Sequence, residues 1–410
     1  MPRRADPRAL LIATFDSQLK WVAAVGDELR RRGCECAVVS PQGRSVPSAL
    51  QLAAVGVDGV DVLPWEVLVA ESACSDVVVA ALAGSQLHRL SIDLAAGSDP
   101  GVPGPVLVTG WIGVIFEQIT TGYLARSGFD VVAVNSVDDL TTFTSVARQL
   151  DLGADNLLLS GLPFLGSTAL PPRDEPIRRV LFADQPTVPG PAQERLHLYR
   201  RLIDYAYAHP EREVLLKPRH RLGEDTFHAM KHHPEDLLAG VDRPSNFRID
   251  HTPISEILPS VDLLLTVSST ACLEAVGAGC RVGLVMDLGV QERYGNHAFL
   301  ASGLLRTFEQ LIDDDIGTPD PTWLRSYFFE RPGSSAAQIV DRVEKLLSSG
   351  ERPSRRTWES AYFISTARYR GALPAPGTPR RRRLGALARD LTPPVLMRRA
   401  RRLRRRLDRR

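Results

Sequence analysis

Residues 261–280 begin as an apolar strand, turn at once to Ser268, Ser269 and Thr270, and continue as small residues with helical spacing. A parallel strand that runs into a helix in this way leaves its hydroxyls at the carboxyl edge of a sheet. Unpaired N–H groups and the positive end of the helix dipole there favour phosphate oxygens. A helix cap would use the same residue types. Glu274 and the Gly277-x-Gly279 ending are features a cap does not require, and Glu274 is assigned to a nucleotide or its sugar.

A second apolar run ends in Lys217, Pro218, Arg219, His220 and Arg221, which stand at the same sheet edge. Only four of the 50 basic residues are lysines, so Lys217 is conspicuous where arginine is the rule. A solvated basic loop is the plain reading; an anion is the partner that Lys217, Arg219 and His220 suit best, with Pro218 stiffening their delivery. Asp184 and Gln185 open the loop after another strand and are expected against the nucleotide or its sugar. Asp16 directly follows the first strand, where it can cap the next helix or take a proton from an attacking hydroxyl. Glu117, near a second strand end, is its rival as base. His228, His232 and His233 lack an acidic or cysteine partner and read as surface residues. There is no Gly-x-x-x-x-Gly-Lys-Ser/Thr and no Gly-x-Gly-x-x-Gly behind the first strand, and no Asp-x-Asp stands where a divalent metal and a nucleotide would be held. No bound metal and no cofactor is expected.

The elements that must position these groups alternate. Strands are predicted over 8–14, 35–40, 76–80, 105–109, 131–134 and 156–160, with helices over 19–32, 84–95, 118–126 and 138–150. Such alternation predicts a doubly wound parallel sheet. Gly-Ser-Thr and then Pro171, Pro172 and Pro176 break the pattern. It restarts with strands at 179–183, 213–217, 246–249, 262–267 and 281–286 and a helix at 192–208. The expected division is an N-terminal Rossmann-like domain over 1–166, a linker over 167–176, a nucleotide-binding domain over 177–350 carrying an amphipathic helix at 334–347, and a return helix over 351–371. A linker and a basic amphipathic tail over 372–410 complete it.

Composition agrees with a folded globular chain: 410 residues suit two domains, and 44% hydrophobic with 24% charged residues is ordinary, which argues against disordered and fibrous classes. No apolar run reaches the ~20 residues of a membrane span, and the first residues make a poor secretory signal, so a cytoplasmic protein is expected. The five scattered cysteines read as reduced. The net charge of +2 hides an asymmetry, because residues 379–410 hold fourteen Arg against two Asp while the remainder is acidic. Leucines recur among those arginines, which suits an anionic membrane surface better than nucleic acid.

On the Ser160-Gly-Leu-Pro163 turn, the strand-end Lys217-Pro-Arg-His220 and the Ser268-Ser-Thr270 helix start, residues 8–345 resemble bacterial GT-B enzymes that build capsule and cell-wall polymers. These include polysialyltransferases, Kdo transferases and CDP-glycerol glycerophosphotransferases. An uncharacterised glycosyltransferase family of high-G+C bacteria resembles the chain more closely still. The resemblance implies two Rossmann-like domains facing a cleft. It also implies metal-independent transfer of a sugar or polyol unit from a nucleotide-activated donor to a hydroxyl acceptor, possibly lipid-linked, in surface polymer or glycolipid synthesis. In the characterised families a His-Pro motif and a Ser-Ser or Ser-Thr motif hold a cytidine nucleotide's phosphate; here Lys217 precedes Pro218, which keeps phosphate binding and leaves the base of the nucleotide open. A nucleotide-sugar epimerase and a non-catalytic scaffold of the same fold are the alternatives.

Overall fold

A computed structural model describes residues 6–43, 52, 56–57, 59–99, 101–116, 118–163, 165–223 and 230–370. The first sheet contains β1 (Arg8–Ala13), β2 (Glu35–Pro41), β3 (Asp61–Leu63), β4 (Val77–Ala81), β5 (Val106–Gly110), β6 (Val131–Val134) and β7 (Leu157–Leu159), in the order β3-β2-β1-β4-β5-β6-β7. The second contains β8 (Arg179–Ala183), β9 (Glu213–Lys217), β10 (Phe247–Ile249), β11 (Leu263–Thr266), β12 (Arg281–Val285) and β13 (Leu305–Arg306), in the order β10-β9-β8-β11-β12-β13. Every pairing in both sheets is parallel.

The inner strands are apolar throughout because each side of the sheet is covered. Along β4, Val77, Val79 and Ala81 join one core, and Val78 and Ala80 join the other. The same two-residue alternation splits β8 and β11 between two cores in the second domain. In each sheet the winding direction reverses at one strand. β1 lies between β2 and β4, and β8 lies between β9 and β11, so a crevice opens at the carboxyl ends of β1 and β8. Asp16 and Gln185 lie within three residues of those two strand ends.

The helix α1 (Asp16–Arg31) packs against the first sheet close enough to dictate its neighbour. A Cβ on Gly110 would lie 2.7 Å from the buried Trp21 ring and 3.0 Å from the Ala133 carbonyl, so the end of β5 has room only for glycine.

The return to the first domain comes earlier than the expected boundary at 350. Ile339, Val340, Val343 and Leu346 of the helix Ser335–Ser349 are fully buried in the first domain's core beside α1. The chain therefore crosses back before residue 335. Amphipathic spacing showed that this helix buries a stripe but could not show against which sheet. The expected return helix over 351–371 is two, Ser354–Glu359 and Ala361–Arg370, because Ser360 between them is extended. β3, the helix Trp65–Ala73 and β13 were not foreseen; β3 and β13 have only three and two residues.

Candidate active site

Phe15 rather than Asp16 occupies the cap position of α1, and it makes no side-chain cap. Asp16 instead reaches across the cleft. Its two oxygens accept from Arg219 Nη2 at 2.8 Å each, and Oδ2 also accepts from Nε at 3.3 Å. One helical turn on, Lys20 Nζ donates to Glu274 Oε2 at 3.0 Å. Sequence reading passed over Lys20, although its rarity and its place four residues after Asp16 were both visible. A third bridge runs from the Val114 N–H to Thr270 Oγ1 at 3.3 Å. A Cβ on Gly113 would meet that hydroxyl at 2.5 Å, so only glycine allows this approach.

The loops of the second domain are tied to one another. Gln185 Oε1 accepts from the Ser268 N–H at 3.0 Å and its Nε2 donates to Ser268 Oγ at 3.2 Å. The Ser268 hydroxyl is buried and donates to the Tyr294 carbonyl at 2.5 Å, so it joins three loops rather than facing the cleft. Ser269 and Thr270 are partly open, and Ser269 Oγ accepts from the Ala271 N–H at 3.3 Å. The helix that follows, Ala271–Gly277, has only seven residues, and Thr270 at its start makes no side-chain cap.

Two expected contact residues are turned inward. Asp184 accepts from Arg195 and from Tyr199, and its carboxylate is only 1% exposed. It cannot touch a nucleotide or sugar from there; it holds the loop whose next residue, Gln185, meets Ser268. His220 is equally committed: Nδ1 donates to the Arg221 carbonyl at 3.0 Å, and Nε2 accepts from the Met230 N–H at 3.0 Å. With both ring nitrogens on backbone and the side chain buried, His220 shapes its loop and does not bind phosphate. His233 is likewise buried, contrary to the surface reading, and Nε2 donates to the His220 carbonyl while Nδ1 accepts from the Glu235 N–H. His228, Glu117 and the basic tail lie outside the described residues.

Lys217 and Arg219 are the cations that remain near the cleft edge. Burial draws the Lys217 ammonium below the ordinary lysine value, Asp250 opposes this, and the Arg219 charge adds to it. Among the described residues no group of three or more His, Cys, Asp or Glu is placed to hold a metal. The run Asp313–Asp315, an Asp-x-Asp in letter, lies away from this edge. Asp314 pairs with Arg212, just before β9 begins, and Asp315 with Arg306. The five cysteines are free, and among the described residues no helix is long and apolar enough to cross a membrane.

A family model described as "Putative glycosyltransferase (DUF6716)" matches residues 9–346. The chain belongs to this family. The glycosyltransferase match covers both sheets and ends inside the helix that returns to the first core. The crystal structure of a putative UDP-N-acetylglucosamine 2-epimerase from Listeria monocytogenes superposes with a TM-score of 0.58 at 13% identity, covering 85% of this chain and 99% of that one. The spinosyn forosaminyltransferase SpnP superposes with a TM-score of 0.50 at 15% identity, covering 84% and 100%. At such identities the likeness is one of fold, the GT-B arrangement of two Rossmann-like domains. No curated protein matches the sequence.

Proposed function

We propose that this glycosyltransferase family member moves a sugar or polyol unit from a nucleotide-activated donor, held by the second domain, to a hydroxyl acceptor entering from the first. The observation that carries this reading is the meeting of Asp16 with Arg219 across the cleft, because it brings a carboxylate of one domain to a cation of the other. Lys217, Arg219, Ser269 and Thr270 receive the departing phosphate, with Glu274 against the nucleotide or sugar. The bond from the transferred carbon to the phosphate oxygen breaks, and its electron pair leaves with the phosphate. The acceptor oxygen bonds to that carbon, and its proton passes to Asp16, with Glu117 as the rival base. Stabilising the leaving charge is the largest demand on the site, and fixed cations meet it without a metal.

The acceptor is proposed to belong to surface polysaccharide or glycolipid synthesis and to be lipid-linked, with the protein on the cytoplasmic face of a membrane. The resemblance to polymer-building enzymes and the fourteen tail arginines support this. The test is a thermal-shift screen with UDP, GDP, CMP, CDP and their sugars, followed by transfer and hydrolysis assays with and without EDTA. Loss of activity in EDTA, restored by magnesium or manganese, would sink the metal-independent site, and epimerisation of a nucleotide sugar without transfer would favour the epimerase reading.

A further inference from the structure

Arg219, Thr270 and Glu274 at the carboxyl edge of the second sheet are all engaged by the first domain. Arg219 is held by Asp16, Thr270 by the Val114 N–H, and Glu274 by Lys20. Asp16 and Lys20 are four residues apart on α1, so one face of one helix supplies both ionic contacts. Each of the four charged side chains keeps between 20% and 38% of its surface exposed, which leaves these pairs weak and open to exchange.

The same atoms cannot serve α1 and a donor together. We propose that the donor and α1 exchange partners. A nucleoside mono- or diphosphate takes Arg219 from Asp16 and Glu274 from Lys20, and only then is the Asp16 carboxylate free to accept a proton. This rests on the reading of the second domain as the donor site. Its chemistry follows from charge. A phosphate carries more negative charge than the carboxylate it displaces and offers the same paired oxygens to the guanidinium fork, and donor hydroxyls can donate to Glu274 where the lysine did. The exchange makes Asp16 and Lys20 competitors of the donor for Arg219 and Glu274. It gives the enzyme an order, in which an acceptor meets no competent base until the donor is seated.

The test measures affinity for UDP, CDP, GDP and CMP by calorimetry in wild type, Asp16→Asn and Lys20→Met. If the pairs compete with the donor, each variant binds the nucleotide about two- to five-fold tighter than wild type, the range set by an exposed pair of up to ~1 kcal/mol. Asp16→Asn then binds tighter yet loses transfer, a split that a merely structural role does not produce. Weaker or unchanged binding in both variants overturns the exchange, because it means that Asp16 and Lys20 hold Arg219 and Glu274 ready for the donor or ignore it. If none of the four nucleotides binds wild type, the donor-site reading falls and the exchange falls with it. Should Asp16→Asn not fold, Lys20→Met decides alone.

Discussion

Arg195 Nη1 donates to both carboxylate oxygens of Asp184 at 2.8 Å, and each side chain is only 1% exposed. Tyr199 adds a hydroxyl donor at 2.5 Å, and Arg195 Nη2 donates to the carbonyls of Gln185, Pro186 and Pro189. Burial pushes the Asp184 carboxyl up while Arg195 pulls it down. The pair organises the loop that ends the first strand of the second domain, and through Gln185 it fixes the buried Ser268.

Removing one member strands the other. Arg195→Met leaves the carboxylate uncompensated and is expected to cost about 3–5 kcal/mol in denaturant unfolding, whereas replacing both by apolar residues of similar volume restores much of that loss. If the single and double variants are equally unstable, the cost lies in the loop carbonyls and not in the stranded charge.

Asp139, in the first turn of the helix Val137–Gln149, has its carboxyl pushed up to about 6 by burial, against a hydrogen bond with Ser136 and with a smaller push from Asp138. An unfolded aspartate titrates near ~3.9. Between about pH 4 and 6 the folded state therefore holds more protons, so stability falls as pH rises through this window and the penalty stays in place above it. Asp139→Asn should stabilise the protein by about 1–3 kcal/mol at pH 7.5 and leave it unchanged near pH 3.5. A lower melting temperature for the variant at pH 7.5 would contradict this.

His88 tilts the same window the other way. It is 7% exposed, and its Nε2 is buried without a hydrogen-bond partner. Burial first, and the Arg370 charge second, lower its value to about 4. The unfolded chain takes up a proton near ~6.5, so stability present above that pH is lost as pH falls toward about 4. His88→Gln should flatten the acid limb of melting temperature against pH. The Asp139 and His88 slopes offset one another in wild type, so each shows fully only when the other is removed, and an unchanged acid limb in His88→Gln would refute its share.

The strands were readable because covered parallel strands leave an unbroken apolar signal, as in Val77–Ala81, and the cleft loops followed from the strand ends. Less legible was the direction of each polar group. Asp184 and His220 have the residue types of a ligand site, yet inward partners eleven and ten residues on, Arg195 and Met230, claim them. Lys20 shows the converse, since its role exists only because Glu274 stands 254 positions away across the cleft. Composition and period report burial and spacing; they carry no information on such pairings.

Lys217 should bind nucleotide without supporting the fold. Among the described residues its Nζ hydrogen-bonds only the neighbouring Pro218 carbonyl, at 3.3 Å, which leaves the ammonium available to a phosphate. Lys217→Ala is expected to weaken nucleotide binding by about 1.5–3 kcal/mol, the contribution of a charge-assisted hydrogen bond, with the ligand-free melting temperature nearly constant. Unchanged affinity would remove Lys217 from the site.

The basic tail is tested by vesicles. The described chain ends at Arg370, whose Nη1 donates to the Ser85 carbonyl at 3.4 Å in the first turn of the helix Gly84–Gly97, which follows β4 at the carboxyl edge of the first sheet. The described residues therefore end on the side where an acceptor is proposed to enter. Its arginines near anionic lipid contribute about 1 kcal/mol each at most, so a fraction of the fourteen is enough for peripheral binding. The rest of the chain is acidic, which disfavours wrapping by a long polyanion and favours a surface that only the tail must touch. Full-length protein should co-sediment with vesicles containing phosphatidylserine at moderate salt, should release as ionic strength rises toward 1 M, and should ignore neutral vesicles. A version ending at Ala372 should stay in the supernatant with its melting temperature unchanged. Equal pelleting of both versions would place the membrane contact on the folded domains, and no pelleting of either would remove the membrane from the protein's function.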